Sequence, residues 1–306
     1  MPCGFAKASS TWPSDGILPH FGSGSTAARA ARVQQREDNV TTADTLRKKW
    51  AAGQTAFGAW AALPCPFAAE LLCAPGLDYV CIDQQHGLID YNDLVGMLCA
   101  IEGRRTVPLT RVPANEAWLI GKALDAGVQG VVVPMVSNRI QAVAAVQACR
   151  YFPKGVRSFG PVRASMVMNS RDVAVVGDSV LCFVMVETRE GVERIEEIAS
   201  TPGLDGIYVG PADLALGLGL PPNLDKEEPE HVAAVDKILQ ACNRYGIVPG
   251  IQCGSGRSAR KFADRGFRLV TLTKDTSLLP AAVEKEIAAA LAGDDAAGKV
   301  KERGYS

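Results

Sequence analysis

The sequence predicts an α/β barrel of eight parallel strands, a (β/α)8 or TIM barrel. Three observations carry this. From residue 55 onward, eight short apolar runs alternate with helical segments, and such alternation implies parallel strands with right-handed crossovers. Eight units is the number that closes a barrel. Polar residues gather just past the ends of the runs, where a barrel keeps its chemistry. An open doubly wound sheet is the alternative. It would usually carry a glycine-rich dinucleotide turn after the first strand, and FGAWAALP is not one.

Residues 1–48 are rich in Ser, Thr, Ala, Gly and Pro and show no sustained periodicity. They read as a disordered extension, with residues 49–306 forming the barrel domain. Arg29, Arg32 and Arg36 among few acids have the flavour of a transit peptide; a misplaced start or a plain tail fits as well. A short helix, Thr45–Ala52, leads into strand Thr55–Trp60. Helix Pro66–Ala74 and strand Tyr79–Asp83 follow. Asp90 begins a helix to Glu102, before strand Thr106–Arg111. Asn115 opens a helix to Ala126, before strand Gly130–Pro134, and Asn138 starts a helix to Cys149. A long loop and a helix over Ser165–Val176 precede the two central strands, Leu181–Val186 and Gly206–Val209. The first is a continuous apolar run ending on Glu187; the second runs into Gly210-Pro211-Ala212-Asp213 and a short helix. Helix Glu230–Tyr245, strand Ile247–Ile251, helix Ser255–Asp264, strand Leu269–Leu272 and helix Leu278–Leu291 complete the chain.

Composition narrows the function classes. A hydrophobic share of 47% supports a real core. A net charge of −1 with no Lys/Arg block argues against nucleic acid or an anionic membrane as partner. No apolar run is long enough to span a bilayer. The nine cysteines are odd in number and lack a CxxC pair, so they read as small buried hydrophobes in a reducing, cytoplasmic setting.

Parallel strands place all their C-terminal ends on one rim, so residues far apart in sequence converge there. Glu187 and Asp213 are two carboxylates without Cys or His partners, a set that suits magnesium or manganese; they also fit as caps of the helices that follow them. The first turn holding Asp213 offers free N–H groups to a substrate carboxylate. Asp83 and His86 fit a carboxylate–imidazole pair in which the carboxylate fixes the tautomer and the ring moves a proton. A structural histidine capping the turn is the alternative. Arg111 ends an apolar strand and offers a rigid fork of donors to a keto or carboxylate oxygen, or forms an ion pair with Glu187 or Asp213. The seventh strand ends near Gln252 and the eighth at Lys274 and Asp275.

The segment ETREGVERIEEIASTPGLDGIYVGPADLALGLG, residues 187–219, resembles the signature of the HpcH/HpaI aldolase family, metal-dependent pyruvate aldolases related to the citrate lyase β-subunit. The likeness runs from about Thr55 to the C-terminus. It implies a barrel of the phosphoenolpyruvate/pyruvate-domain type, with Glu187 and Asp213 holding Mg2+, Mn2+ or Co2+. It places the acid/base dyad on Asp83 and His86, and the group that steadies the enolate on Arg111. It makes Trp60 a pocket residue, with core packing as the other reading. Substrate would meet Gly210, Pro211, Ala212 and Gln252. The LDAG motif puts Asp125 into the active site of a neighbouring subunit, in a hexamer built as a trimer of dimers with exchanged C-terminal helices. Arg157 and Arg163 match a loop near the second substrate; they select an acidic aldehyde or face solvent. Two departures stand out: Gln85 replaces the usual Glu, and Met185 replaces a frequent Gln.

The leading reading is a divalent-metal aldolase that forms or cleaves 2-keto-4-hydroxy acids from a keto acid and an aldehyde. A CoA-thioester lyase of the citryl- or malyl-CoA type keeps the fold but lacks a Lys/Arg cluster for the CoA phosphates. A Schiff-base aldolase would use Lys274. A non-catalytic barrel that binds keto acids is the reading from another class.

Overall fold

The strands β1 (Ala56–Ala61), β2 (Tyr79–Asp83), β3 (Val107–Arg111), β4 (Gly130–Val133), β5 (Leu181–Met185), β6 (Gly206–Val209), β7 (Val248–Ile251) and β8 (Leu269–Lys274) pair in parallel in that order, and β8 returns to β1 to close a barrel. This is the arrangement in the computed structural model of the chain, which describes residues 42–222 and 227–292. Strands β4, β5 and β6 are buried at every position. That is why they read as unbroken apolar runs rather than alternating ones.

The two faces of each strand feed two cores. Trp60, Tyr79, Leu109, Phe183, Met185 and Tyr208 fill the barrel interior. Val80, Ile82, Val131, Val184 and Ile207 point outward against the surrounding helices. Interior rings need room, and neighbouring glycines supply it. Gly206 pairs with Phe183 across the sheet, and a Cβ at Gly206 would stand 2.3 Å from that ring. Such alternation of large and small residues fits side chains into a closed barrel.

Helices occupy the crossovers. They are α2 (Pro66–Cys73), α3 (Tyr91–Ala100), α4 (Ala117–Asp125), α5 (Arg139–Cys149) with α6 (Val162–Val167), α7 (Arg189–Glu193) with α8 (Ile195–Ala199), α9 (Pro211–Gly217) with α10 (Pro229–Tyr245), α11 (Gly256–Arg265) and α12 (Asp275–Ala292). Their starts show ordinary capping: Asp90 closes a capping box on α3, and the side chains of Asn138 and Ser255 accept first-turn N–H groups of α5 and α11. The first helix, α1 (Ala43–Ala51), lies across the N-terminal end of the barrel. Ala43 and Leu46 join the interior cluster, Trp50 donates to the Arg268 carbonyl at 2.8 Å, and Arg47 pairs with Asp205 at 2.9 Å. With that end closed, the C-terminal rim is the mouth.

Several expected boundaries shift. Helix α1 starts at Ala43, ahead of Thr45, because Ala43 and Leu46 are plug residues; the expected 48/49 domain boundary falls inside it. The rest of the expected extension, residues 1–41, lies outside the described residues, as do 293–306. The helix expected over Ser165–Val176 is instead α6 and a separate π-helical turn, Ala174–Asp178. Asn169, at φ 45°, takes the left-handed conformation that ends α6. Strand β8 runs on to Lys274, where Asp275 stops it by accepting the N–H groups of Ala62 and Leu63.

Candidate active site

Asp83 ends β2 and Arg111 ends β3, in register with each other. Both are buried, and they meet as a fork: Nε to Oδ1 at 2.8 Å and Nη2 to Oδ2 at 2.6 Å. The Asp83 carboxylate also accepts the backbone N–H groups of Gln85 and His86, each at 3.2 Å. Burial works to raise the Asp83 carboxyl; the guanidinium and the two turn N–H groups outweigh it and leave it below the usual carboxylate range. The Arg111 guanidinium lies 4.5 Å from the centre of the Trp60 ring. Trp60 is itself fully buried, so it is a platform under Arg111 and not an open pocket wall.

This arrangement corrects the expected dyad. Asp83 spends both oxygens on Arg111 and touches His86 only through the backbone. The His86 side chain is exposed at the mouth, and no hydrogen bond orients its ring among the described residues. Nor does Arg111 pair with Glu187 or Asp213; its partner is Asp83.

Glu187 follows β5 and is 2% exposed. Its Oε1 accepts the Met135 N–H at 2.8 Å. Its Oε2 is buried and has no hydrogen-bond partner among the described residues. A Cβ added at Gly210 would lie 2.5 Å from that Oε2, so glycine is what leaves the space open. Asp213, in the first turn of α9, is half-buried and close enough to raise the Glu187 pKa through its charge. Burial is the larger cause, and together they push Glu187 up to about 7, against the lowering pull of Met135 and Arg111. A buried carboxylate oxygen without a donor, next to a second carboxylate, fits a hard cation. Among the described residues no third His, Cys, Asp or Glu joins the pair. Such a set leaves coordination positions for water and substrate.

Around this centre, Gly210 and Pro211 are buried at the start of α9, and Ala212 is half-buried beside them. The first-turn N–H groups of Ala212 and Asp213 lie ahead of the intrahelical bonds and are available to an anion. Gln252 follows β7, tied by its N–H to the Val209 carbonyl at 3.2 Å. Lys274 is in register with Trp60, and Asp275 serves as the structural cap described above.

Asp125 is not at this mouth. It is the last residue of α4, at the opposite end of the barrel unit, where its Oδ1 accepts from Arg157 at 2.7 Å. Burial raises the Asp125 carboxyl despite that arginine. Arg157 is buried and stacks on Tyr151, and Arg163 binds the Ala126 carbonyl and Glu102. The two loop arginines thus neither face solvent freely nor reach the mouth of their own subunit. Met135 was missed by sequence reasoning: its φ of 58° is rare for a non-glycine residue, and only the folded backbone shows it.

A family profile described as HpcH/HpaI aldolase/citrate lyase matches residues 56–282. A hydroxypyruvate/pyruvate aldolase of Rhizorhabdus wittichii is 40% identical over 247 residues, 81% of this chain and 98% of its own length. A 4-hydroxy-2-oxo-heptane-1,7-dioate aldolase of Shigella flexneri is 34% identical over 236 residues, 76% of this chain and 88% of its own. Among solved structures, an HpcH/HpaI aldolase/citrate lyase family protein from Burkholderia cenocepacia superposes with a TM-score of 0.74 at 33% identity, covering 78% of this chain and 95% of that one.

The Glu187 environment makes a stability prediction. The folded chain keeps a proton that the unfolded chain, titrating near 4.5, has already released. In EDTA, stability should therefore fall as pH rises from about 4.5 to 7, by up to about 3 kcal/mol, and stay low above that. Glu187→Gln has no such titration, and urea melts should show it more stable than wild type at pH 8 while the gap closes at pH 5. Parallel pH profiles for the two proteins would contradict the reading.

Proposed function

We propose that this chain, which belongs to the HpcH/HpaI aldolase/citrate lyase family, makes and cleaves 4-hydroxy-2-oxo acids through a pyruvate enolate, with a divalent cation held by Glu187 and Asp213. Its aldolase relatives make it a carbon–carbon lyase. The observation that carries the finer reading is the buried, donorless Oε2 of Glu187 at the strand-end mouth, beside Asp213 and Arg111.

Magnesium, or manganese or cobalt in its place, would supply Lewis-acid stabilisation of negative charge there. The chain's own groups do the rest. The N–H groups of Ala212 and Asp213 receive the pyruvate carboxylate. Arg111 is locked by Asp83 and supported by Trp60, so its remaining Nη1 donors meet the enolate oxygen without reorganising. His86, exposed at the mouth, carries the proton. In synthesis, pyruvate loses a methyl proton, its C3 bonds to the aldehyde carbonyl carbon, and the carbonyl oxygen takes a proton. Cleavage runs the same steps backwards.

The working form in this reading is a homo-oligomer, a hexamer arranged as a trimer of dimers, in which Asp125 acts near His86 of the next subunit. Two features support it. Asp125 keeps one oxygen off Arg157, and along α12 only Asp275 is buried, which leaves Leu279, Val283 and Ile287 for a second copy. Among the described residues the seven cysteines from Cys65 to Cys242 form no disulfide, which supports a reducing, cytoplasmic setting. No described helix is long and apolar enough to cross a membrane.

A panel of 4-hydroxy-2-oxo acids tests the reaction. Pyruvate release is expected with at least one, abolished by EDTA and restored by Mg2+ or Mn2+; no turnover across the panel would contradict it. Subunit sharing is tested with Asp125→Ala and Glu187→Ala, each inactive alone and then co-expressed. A chain with intact Glu187 receives Asp125 from its neighbour, so part of the activity should return. Activity that stays absent in the mixture, or a fully active Asp125→Ala enzyme, would rule the arrangement out.

A further inference from the structure

Beside the carboxylate pair lies a second feature that the proposed reaction leaves unassigned. A pocket of about 250 Å³ opens between the loops that follow β2, β3 and β4. It is lined by Gln85, Asn115 and Gln141, with Pro113, Ala114, Pro134 and Met135. It joins the site at both ends: the Gln85 N–H meets Asp83, and the Met135 N–H holds Glu187. The volume is below the about 300 Å³ at which drug-sized ligand pockets begin, so it suits a short molecule.

Its chemistry is uncharged and polar. No charged side chain lines it. The amides of Asn115 and Gln141 are fixed: Asn115 Nδ2 donates to the Gln141 carbonyl at 3.0 Å, and Gln141 Oε1 accepts the Ser137 N–H at 2.7 Å. Gln85 differs, because its Oε1 is buried with no donor among the described residues. A buried acceptor without a donor costs free energy unless a ligand supplies one. The arginines that could attract a second carboxylate, Arg157 and Arg163, are bound at the far end of α4.

Resting on the aldolase reading above, we propose that this pocket receives the aldehyde and that Gln85 is its specificity residue. It selects a short, uncharged aldehyde bearing a hydroxyl next to the carbonyl, whose O–H donates to Gln85 Oε1. An acidic aldehyde would bring its carboxylate into a pocket with no charged side chain to pair it.

The test compares kcat/KM for condensation of pyruvate with glycolaldehyde, acetaldehyde and succinic semialdehyde. Wild-type enzyme should favour glycolaldehyde over the semialdehyde. Gln85→Leu removes the acceptor, and the glycolaldehyde-to-acetaldehyde ratio should fall roughly tenfold, the worth of one hydrogen bond. Each ratio is taken within one preparation, so intrinsic reactivity and the folded fraction cancel between variants. Gln85→Glu keeps an acceptor, so it should hold that ratio. An unchanged ratio in Gln85→Leu, or a wild-type preference for the semialdehyde, would overturn this assignment while leaving the aldolase reading intact. Condensation with none of the three, and none with other aldehydes, would overturn both.

Discussion

The mouth of this barrel depends on one buried ion pair. Asp83 and Arg111 sit at the ends of adjacent strands, both nearly inaccessible to water, joined by two parallel hydrogen bonds. Breaking such a pair by removing one partner typically costs about 3–5 kcal/mol, because the other charge stays buried. Here the pair does more than join β2 to β3. Its carboxylate gathers the turn that carries Gln85 and His86, and its guanidinium rests on the Trp60 ring from β1. Three strand ends are thereby fixed relative to one another before any substrate arrives.

The other half of the mouth is arranged around an unmet demand. Glu187 has one oxygen satisfied by Met135 and the other left bare in a dry site. The residue that satisfies the first oxygen sits in a left-handed conformation, a strain of about 1–3 kcal/mol that the rest of the fold must offset. Gly210 keeps the second oxygen uncovered, since any side chain there would collide with it. A carboxylate kept dry and open at such cost is what the proposed cation site requires. Arg111 does not serve as that charge, because Asp83 already holds it.

The fold was legible because its information is local. Apolar runs of four to six residues, separated by capped helices, specify strands and their order without knowledge of any contact. Glu187, Arg111 and Asp213 stand out in the sequence for a similar reason: Glu187 and Arg111 close apolar runs, and Asp213 lies four residues past one. What the sequence hid is pairing. Asp83 has His86 three residues away and Arg111 twenty-eight away, and only the register of β2 with β3 shows that the distant partner wins. Arg157 and Arg163 looked like loop residues free to meet substrate, yet the crossover folds them back onto the end of α4. The φ of Met135 and the bare oxygen of Gln85 are products of packing, and no residue type announces them.

The central claim is that Glu187 and Asp213 hold a divalent cation that lets this site form a pyruvate enolate. Exchange of the pyruvate methyl protons in D2O, followed by NMR with no aldehyde present, tests it most directly. The account predicts exchange with Mg2+ or Mn2+, loss of exchange in EDTA, and none in Glu187→Gln even at saturating metal. Undiminished exchange in EDTA, or in Glu187→Gln, would contradict it.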